Sequence, residues 1–286
     1  FASLQLSALC IRPLSCLIHE ESSISPAQEE ASIMRAFNLL KYNHNKNYHL
    51  LFRCRCRKMS KEKQYMPTST TFQPRYDDPS PENMTPQQSA LRNSILESRP
   101  RTGLSGPFGP WLAVPSIAGP SQELGRIVRY ETSLSMRESE LVILLTGAKF
   151  KSEAEFDIHV GEAMRAGIGL DVINKIPRGS LLSQKGSNEG DTVEFSLENV
   201  KKYMIPQLKK EIDNEGKGDL QRDIPIVLFT SELLETNTVS DESYATTKQM
   251  LGGDDSALVE IIAIVGYYAY VAYTLNVFRI ASSSSS

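Results

Sequence analysis

Beyond Arg57 the chain has no cysteine: Cys10, Cys16, Cys54 and Cys56 all lie within the first 58 of its 286 residues. That excludes a disulfide framework, a cysteine nucleophile and a redox thiol pair from everything that follows. Histidine is nearly as scarce there. Of four, only His159 lies after residue 58, and one imidazole without thiols does not make a zinc site or a facial triad, so no metal is expected. Positive charge is also short: residues 1–58 carry a net +4 and the remainder −7. An acidic body repels phosphate backbones, which argues against nucleic acid as a partner. No glycine-rich dinucleotide fingerprint follows a strand, and a flavin or nicotinamide oxidoreductase is set aside on that ground.

The two ends differ from the middle. Residues 1–58 show no sustained period and mix a short apolar run, Ala8 to Ile18, with polar clusters. Three readings stay open for them: a leader absent from the working protein, a targeting peptide, or a disordered basic arm. Met34 to Lys61 holds eight basic residues and no acid, as mitochondrial presequences tend to. The expected location is therefore cytoplasmic, or mitochondrial if this segment is a presequence. Prolines 67, 74, 79 and 81 mark residues 59–84 as a linker. The serine-rich tail 281–286 carries no structural signal, which leaves 85–280 as the folded domain.

Within that domain the punctuation is helical. Thr85-Pro86-Gln87-Gln88 supplies a capping hydroxyl, a proline at the first helical position and glutamine at the third. Ser135-Met136-Arg137-Glu138 and Ser152-Glu153-Ala154-Glu155 read as two capping boxes, each leading into an apolar run. Gly167 ends the second of these helices and Pro177 stops a third that begins near Leu170. Arg101 to Pro110, rich in glycine and proline, is expected to be a loop. Residues 178–222 read as an insertion with one surface helix, Leu197 to Ile212, interrupted at Pro206. Helices are expected again over Ile224 to Leu234, from Ser240 through Leu251, and after Asp254 or Asp255. The last of these contains the most apolar window, Ile261 to Val277, slightly short for a membrane span of about 20 residues. It reads as a buried or subunit-interface helix, and no membrane span is expected. No strand-like alternation persists, so the fold class is all-α. Glu140 to Leu144 echoes Glu260 to Ile264, a weak internal duplication.

Chemistry gathers at one place. Glu155 and His159 lie four apart on one helix face, and pairing of that helix with the preceding one would bring Glu140 alongside. Two carboxylates flanking an imidazole make a proton relay, with one acid kept protonated by burial. Each residue also has a plainer reading: Glu155 as a capping-box acid, His159 as a satisfied core histidine, Glu140 as a first-turn acid complementing the helix dipole.

Gly106-Pro107-Phe108, Leu134-Ser135-Met136-Arg137-Glu138-Ser139-Glu140-Leu141, Glu153-x-Glu155-Phe156-x-x-His159 with Ala163 and Ala166-Gly167-Ile168, and Gly266-Tyr267-Tyr268 through Leu275-Asn276-x-Phe278 follow one another in an order and spacing that resembles the carboxymuconolactone decarboxylase family. The resemblance covers about Thr85 to Ile280 outside the insertion. It implies a helical bundle of the alkylhydroperoxidase D-like type, assembly as homotrimers or homohexamers, and cofactor-free chemistry on a lactone or related small carboxylic acid. The peroxidase branch of that family carries cysteines where this chain has Ser152 and Glu155, while the matching glutamate and histidine, Glu140 and His159, are kept. A thiol peroxidase is therefore not expected. On that resemblance we expect His159 to act as proton donor or shuttle, with Glu155 orienting it and Glu140 supplying or storing the proton; a substrate carboxylate would also want a cation, for which Arg126, Arg129, Arg137 and Arg165 are the candidates. A non-catalytic oligomeric scaffold or small-ligand binder of the same fold is the alternative.

Overall fold

Every residue from Arg137 to Ala148 is buried, and that all-round burial places one helix at the centre of the molecule. The computed structural model describes residues 74–99, 103–179, 193–216 and 218–280, and the expectations for the leader, the early linker and the serine tail lie outside them. The described residues are helical with no strand among them, so the chain is all-α.

In chain order the helices are α1 (Pro86–Ser98), the single turn α2 (Phe108–Trp111), α3 (Pro115–Tyr130), α4 (Met136–Lys149), α5 (Glu153–Arg165), the short α6 (Leu170–Ile173), α7 (Leu197–Asn199) continued by a π-turn over Val200–Met204, α8 (Ile205–Glu215), α9 (Leu220–Thr236), α10 (Asp241–Met250) and α11 (Ser256–Phe278). The central α4 packs against α5, α9 and α11. Its Val142 and Ile143 join an apolar cluster with α3 and α11, and its Leu141, Leu144 and Leu145 join a second with α5, α8 and α9.

Two of the expected capping boxes form. Thr85 Oγ1 accepts from the Gln88 amide at 3.2 Å while Gln88 Oε1 accepts from the Thr85 amide at 2.8 Å. Ser135 and Glu138 repeat the exchange at 3.2 and 2.7 Å. The third does not form. Ser152 makes no capping bond to α5, and the Glu155 carboxyl lies 3.4 Å from the His159 ring instead. Gly167 closes α5 as expected: at φ +91° it lets Ile168 N–H reach Ala163 O at 2.9 Å and its own N–H reach Met164 O at 3.1 Å, the Schellman pattern.

Three further expectations are corrected. The stretch Arg101 to Pro110 is not wholly a loop, since Phe108, Gly109 and Pro110 enter α2 and are buried. The helix from Leu197 is no surface element: Val200, Met204 and Leu208 have no exposure, recurring every fourth residue on one core-facing side. Pro206 does not interrupt it either. It takes the opening turn of α8, where its missing N–H is tolerated, and the preceding π-turn absorbs the change of pitch. Helix α3 was not among the expected elements.

The last helix is half-buried. Its 23 residues are apolar and long enough to cross a membrane on those grounds alone, yet Leu258, Ile261, Ile264, Tyr268, Val271 and Leu275 pack into the core. Trp111 holds its far end, with Nε1 donating to Thr274 Oγ1 at 3.0 Å and the indole stacked on Tyr270 at 4.7 Å. Residues from Arg75, read as linker, lie along the same end: Arg75 N–H donates to Phe278 O at 2.9 Å.

Candidate functional site

The antiparallel pairing of α4 and α5 brings together the three residues singled out in the sequence. Glu140 points from the first turns of α4 and His159 from the middle of α5, and Glu140 Oε2 meets His159 Nδ1 at 2.8 Å. One helical turn before His159, Glu155 Oε1 stands 3.4 Å from Nε2. All three side chains are buried. The imidazole is therefore held between two carboxyl groups, one per ring nitrogen.

The two contacts are not equivalent. A carboxylate at 2.8 Å from Nδ1 selects the tautomer with its proton there, and turns the Nε2 lone pair toward Glu155. Glu155 Oε1 is out of alignment for a hydrogen bond and has no other partner. Burial raises the Glu155 pKa to about 7, against the downward pull of His159 and Arg129. Desolvation wins because the charged form has no hydrogen bond at Oε1 to replace water. Near neutral pH this carboxyl is thus in part a neutral acid facing an imidazole nitrogen.

The ring is fixed from a third side by Tyr268 of α11, edge-on at 5.1 Å between centroids. Burial pushes the Tyr268 hydroxyl well above its ordinary value, so it is a neutral donor at physiological pH. Beside it lies Arg129 of α3, 3.8 Å from Glu140 and 3.6 Å from Glu162. Burial opposes its charge, but Tyr268, Glu140 and Glu162 hold its pKa above the ordinary guanidinium value.

Glu155, His159, Arg129, Tyr267, Tyr268 and Phe108 share the wall of a cavity of about 70 Å³, room for about two water molecules. Gly125 admits it: a Cβ there would fall on the Tyr267 hydroxyl. Among the four candidate arginines only Arg129 reaches this cavity. Arg126 is engaged by Glu123 and Glu131 at the surface. Arg165 is half-exposed and pairs with Glu162 at 2.6 Å. Arg137 belongs to a separate buried network, bonded to Asp223 at 2.7 Å, Glu211 at 2.8 Å and the Gly167 carbonyl at 2.6 Å.

A larger concavity of about 440 Å³ borders that network. Its charges satisfy one another: Arg137 with Asp223, and Arg222 with Glu138 at 2.5 Å. It therefore reads as the structural joint between α4, α8 and α9. No group of three His, Cys, Asp or Glu side chains among the described residues is arranged to hold a metal ion.

The helix that carries Gly125 and Arg129 is not among those expected from the sequence, and Tyr267 and Tyr268 stand there only as part of a motif. The signal for α3 was present in Pro115 at the start and in apolar residues at 117, 118, 124, 127 and 128, but Gly119 and Pro120 obscured it. No family model matches the chain, and no curated protein matches it either.

Proposed function

We propose that this chain is a cofactor-independent carboxy-lyase of the carboxymuconolactone decarboxylase kind, working as a homotrimer or homohexamer on a lactone or related small carboxylic acid. The observation that carries the reading is the buried Glu155 carboxyl, protonated in part near neutral pH, facing the Nε2 of an imidazole whose other nitrogen is held by Glu140. Loss of CO2 from an unsaturated lactone acid leaves its electron pair delocalised as a dienolate. A positioned acid must then protonate carbon, and such catalysis contributes ~10²- to 10⁴-fold.

The geometry supports an exchange of the roles expected from the resemblance. Glu140 is the orienting group, since it takes the close contact with Nδ1. Glu155 is the proton store, since it is the acid with the raised pKa. The proton passes from Glu155 to the dienolate carbon directly or through His159 Nε2, and Glu155 is left as carboxylate until solvent restores the proton. Charge balances, because the substrate carboxylate leaves as neutral CO2 and one proton from solvent enters the product. Arg129, charged and at the wall, is the group placed to hold a second carboxylate of the substrate.

One observation favours the non-catalytic scaffold or binder instead. The cavity at this site, about 70 Å³, is far below the ~300–1,000 Å³ typical of ligand sites. The test is CO2 release by the full chain from carboxymuconolactone and a panel of β-keto and unsaturated lactone acids. We expect release by the wild type and a fall of at least ~10²-fold in His159→Ala and in Glu155→Gln. Release unchanged in both variants, or no release from the folded wild type, overturns the decarboxylase reading.

A further inference from the structure

The surface carries an apolar face that a monomer does not need. On α3, Ile117, Leu124 and Ile127 point to solvent, and on α11 so do Val259, Ile262 and Tyr273. The two helices pack against each other through Gly125 and Tyr267. Ten large apolar side chains of this helix pair and the residue capping it are between 36% and 61% exposed. At about half of ~150–200 Å² apiece they present on the order of 800 Å², the share of one partner in a standard interface. That exceeds the ~300–600 Å² of the largest apolar patch on a typical monomer.

Three features choose the occupant. First, the α3 part of the face is edged by Glu123, Arg126 and Glu131, cross-paired in ion pairs. Paired charges suit the polar rim of a protein interface and are costly in hydrocarbon. Second, the residues beyond 58 are net −7, which opposes an anionic lipid surface. Third, α3 and α11 are also the helices whose inner sides supply Arg129, Gly125, Tyr267 and Tyr268 to the cavity. None of the exposed side chains of the face is among the residues lining that cavity.

We propose that the joint face of α3 and α11 is where copies of this chain meet, so that the two helices backing the cavity of His159 and Glu155 are clamped from outside by the partner copy. This deepens the oligomeric part of the functional reading and does not depend on which reaction the site performs.

The test measures mass by light scattering and sedimentation for the full chain, alone and with Ile262→Asp and Ile117→Asp. Tyr244→Asp, an exposed position outside α3 and α11, is the control. The expected result is an oligomeric wild type and control, and a shift to monomer with at least a 100-fold weaker association in both interface variants, with helical circular dichroism kept. A wild-type measurement guards against variants that fail to fold. Trp111, the sole tryptophan, stacks on Tyr270 of this face, so its emission should shift on dilution in step with the mass. An oligomer that persists in both folded variants places the interface elsewhere and overturns the proposal while sparing the oligomeric reading. A monomeric wild type overturns both. A monomer that floats with phosphatidylcholine–phosphatidylserine vesicles gives the face to a lipid surface and overturns the proposal as well.

Discussion

Replacing Glu155 by glutamine should stabilise the protein at alkaline pH and do almost nothing at pH 4. Burial raises this carboxyl from an ordinary 4.5 to about 7, so the native state binds the proton more tightly than the unfolded chain does. Below the unfolded value both states are protonated and the site is neutral. Between about 4.5 and 7 the unfolded state ionises first, and stability falls as pH rises. Above about 7 the native state carries the whole penalty. At ~1.4 kcal/mol per unit, the shift amounts to about 3 kcal/mol. Glutamine has nearly the same shape but no charge, and the variant should escape that penalty. Urea unfolding of both proteins at pH 4, 6 and 8 reads the difference. The stability of Glu155→Gln relative to wild type should grow with pH by about 3 kcal/mol in total, most of it gained before pH 7. A difference that is flat with pH, or that moves in favour of the wild type, refutes the argument that desolvation dominates at this carboxyl.

Other perturbations separate the structural groups from the functional ones. Arg137→Met should cost about 3–5 kcal/mol in a denaturant titration, because Asp223 and Glu211 are left buried without their shared cation; a loss under 1 kcal/mol contradicts the network. Gly125→Ala should cost about 1–3 kcal/mol, because the added methyl displaces Tyr267 from the cavity wall; an unchanged thermal midpoint contradicts that contact.

How much of this was legible in the residues depended on whether the signal was local. The capping boxes at Thr85 and Ser135 involve groups three residues apart, and both formed as written. Ser152 to Glu155 has the same spelling but a different outcome: Ser152 makes no capping bond, and the Glu155 carboxyl is buried 3.4 Å from His159 Nε2, a placement set by how α5 packs and not by its first turn. The charged segment from Leu197 reads as a surface helix when its lysines are counted. Its buried side is visible only in the four-residue spacing of Val200, Met204 and Leu208, and Glu211 is drawn inside by Arg137, 74 positions away. The meeting of Glu140 with His159 was accessible because a helix pair joined by a short turn has few ways to pack. Arg129 could not be singled out among four arginines. What distinguishes it is the partners that the other three find, and those partners lie partly on distant helices.

A carboxylic acid kept neutral beside His159 is the centre of the site, and infrared difference spectroscopy of the full chain against Glu155→Gln reads that group directly, without a substrate. The expected result is a protonated-carboxyl C=O band that is present at pH 5, absent from the variant, and lost with a midpoint at about pH 7. A band that disappears near pH 4.5, the ordinary value for this side chain, or none that depends on Glu155, would contradict it and leave His159 without its proton donor.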